Sequence, residues 1–152
     1  MLEIKVDDLQ GQEIAALLEK HLDLMRSQSP ACSVHALDLD GLRVPEITFW
    51  SGWEGNQLLG CVALKTFEGD QGEIKSMHTA EAARGKGIGR KMLQHLEANA
   101  RDKGLVRLNL ETGSQPGFAP ARTMYERQGY TYCPPFGDYE VYPLSVYMTK
   151  AL

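Results

Sequence analysis

Apolar residues fall into two periods along the chain, and each period marks a kind of element. Leu2, Ile4 and Val6 alternate with Glu3, Lys5 and Asp7, which predicts a short first strand with one wet face. Ile14, Leu17, Leu18, His21, Leu22 and Met25 then recur at helical spacing, with Asp8 as the expected cap. His21 on that stripe reads as a packed histidine rather than a ligand. Residues 27–44 are polar and irregular, broken by Pro30, with Ser33 expected to cap a short turn through Leu37 and Leu39. Glu46 to Trp53 and Leu58 to Phe67 are β-rich runs joined by Glu54-Gly55-Asn56-Gln57, a hairpin turn, and Trp50 and Trp53 are packing residues. A turn over Gly69 to Gly72 leads into a strand to Thr79. Strict alternation would turn Ile74, Ser76 and His78 one way and Glu73, Lys75, Met77 and Thr79 the other. Residues 46–79 thus predict an antiparallel meander.

Ile88, Met92, Leu93, Leu96 and Ala100 define an amphipathic helix, with Arg90, Lys91, Gln94, Glu97 and Asn99 between them and Gly104 just past its end. Val106 to Thr112 is the next strand. A strand, a long helix and a strand make a right-handed crossover, so the two strands should be parallel. After a loop over Gly113 to Gly117, Ala119 to Gln128 reads as a helix with Pro120 in its first turn, Met124 buried and Gly129 ending it. Tyr130 to Cys133 and Leu144 to Thr149 are the last strands. The loop from Pro134 to Tyr139 between them is too aromatic to be mere linker. No repeat or low-complexity tract interrupts this order.

A chain of 152 residues predicts one domain with room for a proper core. A net charge of −4 argues against general affinity for nucleic acid or anionic membrane. Cys32, Cys61 and Cys133 are widely spaced and lack a CxxC pair, which suits free thiols in a reducing cytoplasm better than a metal site. Met1 to Gln10 has neither a basic region nor an apolar run, so no signal peptide is expected, and no window approaches a membrane span.

Against that acidic background, Arg84-Gly85-Lys86-Gly87-Ile88-Gly89 is a local concentration of glycine and positive charge at a helix start, followed by Arg90 and Lys91. Free backbone N–H groups, the positive end of the helix dipole and the absence of Cβ atoms all favour a phosphate there. No Gly-Lys-Ser/Thr ends the turn, so it is not a Walker A loop. Its glycines also alternate where a dinucleotide fingerprint needs a third glycine three residues after the second. Arg84, Gly87 and Gly89 do fill the fixed positions of Gln/Arg-x-x-Gly-x-Gly/Ala. That is the pyrophosphate motif of the GNAT superfamily of acyl-CoA-dependent N-acetyltransferases, which this chain resembles from about Leu58 to Lys150. A second stretch, Ala121 to Tyr130, is similar to the family's helix that carries a Tyr and closes at Gly-Phe/Tyr.

The resemblance implies an α/β (α+β) fold: a mixed, mostly antiparallel sheet of six to seven strands with a parallel central pair and helices on both faces, in one domain over residues 1–152. It implies acetyl-CoA as co-substrate, with no metal, gripped by Arg84, Gly85, Lys86, Gly87, Ile88, Gly89 and Arg90. Backbone groups of Met77, His78 and Thr79 would pair with pantetheine, and the Met77 N–H would face the thioester carbonyl. Tyr125 matches the Tyr that protonates the departing thiolate, as a phenol with a pKa near 10 can; packing is its other reading. The family's frequent Asn is missing from Phe118-Ala119-Pro120-Ala121. Glu73, eleven residues before Arg84, stands where lysine-modifying members carry a catalytic Glu. A structural salt bridge with Lys75 is the alternative, and Glu111 is the competing carboxylate. His78, on the opposite face under strict alternation, is a weaker base.

Ser29, His35 and Arg43 are candidate acceptor contacts, and Phe136, Asp138 and Tyr139, reinforced by Glu73 and Glu111, suit an aromatic, acidic rim for a cationic amine. The leading expectation is therefore direct acetyl transfer, in a ternary complex, to a primary amine of a small molecule or free amino acid. A protein N-terminus or lysine is the next acceptor class. A non-catalytic acyl-CoA-binding module is the alternative of another kind, with a nucleotide-binding protein third. Members of the family often pair through terminal strands, which allows a homodimer.

Overall fold

The computed structural model describes residues 1–28 and 38–152. Among these, seven strands form one sheet: β1 Glu3–Val6, β2 Ile47–Glu54, β3 Gln57–Phe67, β4 Gln71–Thr79, β5 Arg107–Gly113, β6 Thr131–Cys133 and β7 Ser145–Ala151. Their order is β1-β2-β3-β4-β5-β7-β6, and each pair is antiparallel except β4–β5. Four α-helices cover the sheet: α1 Gln12–Gln28, α2 Leu39–Leu42, α3 Ile88–Asp102 and α4 Ala119–Arg127. The exception in the sheet has a simple cause. β2, β3 and β4 follow one another through short turns, whereas β4 reaches β5 only through α3, and a crossover of that length delivers a parallel neighbour.

Each face of the sheet has its own core. On one side α3 buries Ile88, Met92, Leu93, Leu96 and Ala100, the stripe its periodicity marks, against Val62, Leu64, Ile74, Leu108 and Leu110. Burying each large side chain contributes about 1.5–3 kcal/mol. On the other side Ile14, Leu17 and Leu18 of α1, with Leu42 of α2, pack on Phe49, Cys61 and Ala63. Glycines in the left-handed region end the helices where expected. Gly104 (φ 79°) follows α3, with Leu105 N–H closing on the Ala100 carbonyl at 3.0 Å; Gly129 (φ 95°) follows α4, with Tyr130 N–H on the Tyr125 carbonyl at 3.0 Å.

Several local expectations change. Asp8 does not cap α1. Its Oδ1 accepts from the Gln10 N–H at 3.0 Å in a tight turn, and the helix starts at Gln12 with the Gly11 carbonyl accepting from Ala15. Ser33 and Leu37 lie outside the described residues, and the short helix α2 is capped by Asp38, whose carboxylate accepts from the Gly41 N–H at 2.9 Å. Met124 is half-buried rather than buried, because it points from α4 toward Gly89 of α3. Glu97, on a nominally polar position of α3, is only 4% exposed. Its Oε2 accepts from Tyr130 Oη at 2.8 Å and from Lys150 Nζ at 2.9 Å, which ties α3 to the end of the sheet.

Removing one partner of a buried ion pair strands the others without a counter-charge or acceptor. Glu97→Ala is expected to destabilise the fold by about 3 kcal/mol, read as a lower urea midpoint at unchanged slope. A loss under about 1 kcal/mol would mean that Lys150 and Tyr130 find water instead.

Candidate active site

The site begins where two strands part. β4 pairs with β5 only over Gln71–Ile74 and Arg107–Leu110; beyond Ile74, β4 stays with β3 and β5 stays with β7. The departure coincides with a bulge. Lys75 pairs with Ala63 and His78 with Cys61, so Ser76 and Met77 together oppose Val62. Ser76 sits at φ 53°, a left-handed conformation that costs a non-glycine residue about 1 kcal/mol or more. Its carbonyl accepts from Cys61 Sγ at 3.3 Å. Between the parted strands lies a cavity of about 690 Å3, lined by Glu73 through Thr79 on one side and Glu111, Thr112 and Gly113 on the other.

The bulge corrects the alternation. Ile74 and Met77 both join the α3-side core, while Glu73, Lys75 and His78 pair with Lys65, Ala63 and Cys61 and so share the α1 face. His78 is therefore on the same face as Glu73, not the opposite one. A strand that carries one extra residue shifts every later side chain by one step.

At one end of the cavity is the glycine turn. Gly85 (φ 79°) and Gly87 (φ 77°) are left-handed, and Gly87 is the N-cap of α3. A Cβ on Gly85 would meet nothing within 4 Å and one on Gly87 only an Arg90 guanidinium nitrogen at 3.7 Å, so the turn presents open backbone. Gly89 has another reason: a Cβ there would lie 3.1 Å from Met124 Sδ, and its absence lets α3 approach α4. Arg84, Gly85, Gly87, Ile88, Gly89 and Arg90 line the cavity, and Lys86 does not. This backbone could hold a diphosphate, since helix N-terminal N–H groups are open there and Arg84, whose Nε donates to the Thr79 carbonyl at 3.4 Å, and Arg90 border the same cavity.

On the α1 face, Glu73 is closely held. Its Oε2 accepts from Lys75 Nζ at 3.1 Å and from Tyr139 Oη at 2.6 Å, and Lys75 and Tyr139 are themselves 3.2 Å apart. Both side chains of the ion pair are about nine-tenths buried, at 9% and 10% exposure. Burial, and then the Glu73 charge, hold the Tyr139 phenol well above its ordinary pKa. Glu111 lies in the same cavity, and burial pushes its carboxyl above the usual carboxylate range against the pull of Ser145 and Lys75. Glu73, Lys75 and Tyr139 also bound a second cavity of about 630 Å3, walled by Phe67, Phe136, Asp138 and Tyr142. Phe136 stacks on Phe67 with ring centres 5.9 Å apart.

Tyr125 of α4 reaches the first cavity from the α3 side. Burial raises its phenol well above the ordinary value, its ring packs edge-on to Tyr130, and its hydroxyl has no hydrogen-bond partner among the described residues. Arg43 is elsewhere: it donates to the Leu9 carbonyl at 2.7 Å, lies 3.5 Å from Asp40 and borders neither cavity. The loop it belongs to is spent on holding α2 to the start of the chain. Ser29 and His35 fall outside the described residues. Sequence reasoning missed the contact between His21 of α1 and His78, whose Nδ1 atoms are 3.0 Å apart. Their separation of 57 positions left no local signal beyond a histidine on an apolar stripe.

The histidines generate a pH prediction. Burial and then the partner imidazole lower His21 to about 4; burial and then the Arg84 charge lower His78 to about 4. Unfolded imidazoles take a proton near pH 6.5, while the folded ones refuse it until about 4, so the neutral pair stabilises the fold above 6.5 and that contribution is lost as pH falls toward 4. Urea unfolding should lose on the order of 3 kcal/mol per histidine over that window, and about half the total in His21→Leu. Equal slopes for the two proteins would show that other groups set the acid limit.

Among the described residues no helix is long and apolar enough to cross a membrane. The profile of the Acetyltransferase (GNAT) family matches residues 14–130. The chain is 50% identical over 151 residues to the uncharacterised N-acetyltransferase YsnE of Bacillus subtilis strain 168, covering 99% of this chain and 100% of that protein. It is 43% identical over 152 residues to the uncharacterised N-acetyltransferase YedL of Escherichia coli strain K12, covering 100% and 96%. Among solved structures, PaiA N-acetyltransferase of Thermoplasma acidophilum, in complex with coenzyme A, superposes with a TM-score of 0.78 at 15% identity, covering 100% of this chain and 99% of that one. With a family profile over most of its length and full-length relatives at these identities, the chain belongs to the GNAT family of acetyltransferases.

Proposed function

We propose that the protein transfers an acetyl group from acetyl-CoA directly to a primary amine of a small molecule or free amino acid, with both substrates bound together and no residue acylated. One observation carries the reading: a single cavity runs from the glycine turn, along the unpaired edge of β4, to Tyr125 and Glu73. In this reading the N–H groups of Gly85 to Gly89, with Arg84 and Arg90, hold the diphosphate. The backbone of Met77, His78 and Thr79 holds the pantetheine arm as a missing β5 neighbour would, and the Met77 N–H meets the thioester carbonyl oxygen as charge develops on it.

Tyr125 gives its proton to the departing thiolate. A phenol raised by burial, with no hydrogen-bond partner among the described residues, is protonated at neutral pH and available for that step. Glu73 takes the first proton from the entering ammonium through Oε1, since Oε2 already accepts two bonds. Glu111 supplies further negative charge beside the amine. Phe136, Asp138 and Tyr139, at the second cavity, hold the body of the acceptor. The side chains of Lys86 and Arg43 border neither cavity and are given no role in this scheme.

Ligand-dependent thermal stability is the first test. Acetyl-CoA or CoA at a hundred times its dissociation constant should add about 2.7 kcal/mol, visible as a clear rise in Tm, whereas NAD and ATP should not. No shift with either CoA species would remove the diphosphate assignment and the reading with it. Tyr125→Phe should then keep the acetyl-CoA shift while amine-dependent CoA release falls about 100-fold in kcat. Unchanged turnover in that variant would assign Tyr125 to packing.

A further inference from the structure

Amide formation from an ammonium removes two protons from one nitrogen. The first must leave before the nitrogen can attack. The second leaves the N-protonated tetrahedral adduct before the amide can form. The departing sulfur takes up one proton, so one remains to be delivered to solvent. Glu73 and Tyr125, in the proposed scheme on which this inference rests, serve the entering ammonium and the departing sulfur. Neither serves the adduct nitrogen.

His21 and His78 have the chemistry for that step. The two rings meet edge-on with centres 4.9 Å apart, and both border the cavity. They are 6% and 8% exposed. Two neutral imidazoles whose Nδ1 atoms lie 3.0 Å apart share a single proton between those atoms. One ring is then Nδ1–H with a bare Nε2, and the other is its opposite tautomer with Nε2–H. Neither Nε2 has a hydrogen-bond partner among the described residues. The pair is thus a short wire with an acceptor at one end and a donor at the other. Its place also fits: His78 follows Met77, whose N–H faces the thioester carbonyl in the proposed scheme, whereas Glu73 lies below the bulge. The cations nearest the wire are Lys20 of α1 and Arg84 of the glycine turn, with Lys75 on the same face but tied to Glu73. They oppose storage of charge on the rings and favour its passage.

We infer that His78 and His21 carry the second proton of the acceptor nitrogen out of the active site. His78 Nε2 takes the proton from the adduct nitrogen as the N–H bond breaks. The Nδ1 proton of His78 moves to Nδ1 of His21, and His21 releases its Nε2 proton to water. The pair finishes neutral in the mirror-image tautomer and is reset by exchange with water once the amide has left. No other reactant is needed. His78 is here a catalytic residue, and His21 a positioning and relay residue.

The test uses His21→Leu, which leaves the β4 backbone and Tyr125 in place. At pH 7 amine-dependent CoA release should fall about 100-fold in kcat, with the thermal shift by acetyl-CoA unchanged. The loss should shrink as pH rises and be partly rescued by added imidazole, because an outside base then does the wire's work. A structural histidine would give a loss independent of pH and of added base, and that outcome, or wild-type rates, would overturn the inference. Imidazole 15N NMR of the acetyl-CoA-bound protein needs no acceptor and so separates this inference from the transfer reading. One Nδ1–H ring and one Nε2–H ring, both neutral at pH 7, are expected. Two identical tautomers, or a charged ring, would refute the wire even if acetyl transfer is confirmed.

Discussion

A buried strand edge without a partner is the constraint around which this molecule is arranged. Past Ile74 and Leu110 the central parallel pair separates, and the backbone groups of β4 that faced β5 lose their acceptors and donors while remaining inside the protein. Such groups cost free energy unless something else bonds to them. That edge faces the cavity of about 690 Å3, where, in the proposed reading, the pantetheine arm bonds to it. The bulge at Ser76 makes the same demand in another form, since a serine is held at a positive φ in a central strand to keep β4 on β3 while it leaves β5. Strain and missing hydrogen bonds thus coincide at this point of β4, and the one other irregularity of pairing among the described strands is the register shift between Gly52 and Trp53 of β2.

How much of this was legible in the chain depends on the range over which each residue acts. Strands, helices and the crossover followed from periodicity and turn residues, because a helix or a hairpin is decided within a few positions. The glycine turn was legible for the same reason: Gly85 and Gly87 do their work through their own backbone. Tyr125 could be placed because its helix ends in a recognisable way. By contrast, the burial of Glu97 depends on Lys150 and Tyr130, and the restraint of Glu73 depends on Tyr139, 66 positions away. No period in the sequence encodes such pairs. The mistaken face for His78 has yet another origin. Alternation holds only while the register does, and nothing in Gly-Glu-Ile-Lys-Ser-Met-His says that one residue is extra, because the left-handed position is filled by Ser76 and not by a glycine.

The contact between Lys75, Glu73 and Tyr139 shows why a carboxylate cannot be given a role from its position alone. Salt bridge and proton acceptor were alternative readings of Glu73, and the geometry is compatible with both, one oxygen being bound twice and the other left for a ligand. The aromatic loop after β6 is what encloses that carboxylate. Phe136 stacks on Phe67 and meets Tyr139 edge-on, and both rings contact Tyr147 of β7, so they close over the sheet as a unit rather than as separate side chains.

The two faces of the sheet carry different burdens. The α3 side holds the larger apolar cluster, the glycine turn and Tyr125, while the α1 side holds Glu73, the histidine pair and the aromatic loop. Mutation therefore meets two separate kinds of selection in one small chain. Changes at Phe136, Asp138 or Tyr142 alter the walls of the second cavity without touching the α3-side core, so that cavity can vary while the glycine turn and Tyr125 on the far face are kept. With the acceptor held there as proposed, a lineage built on this frame is free to exchange what it recognises long before it loses the ability to fold.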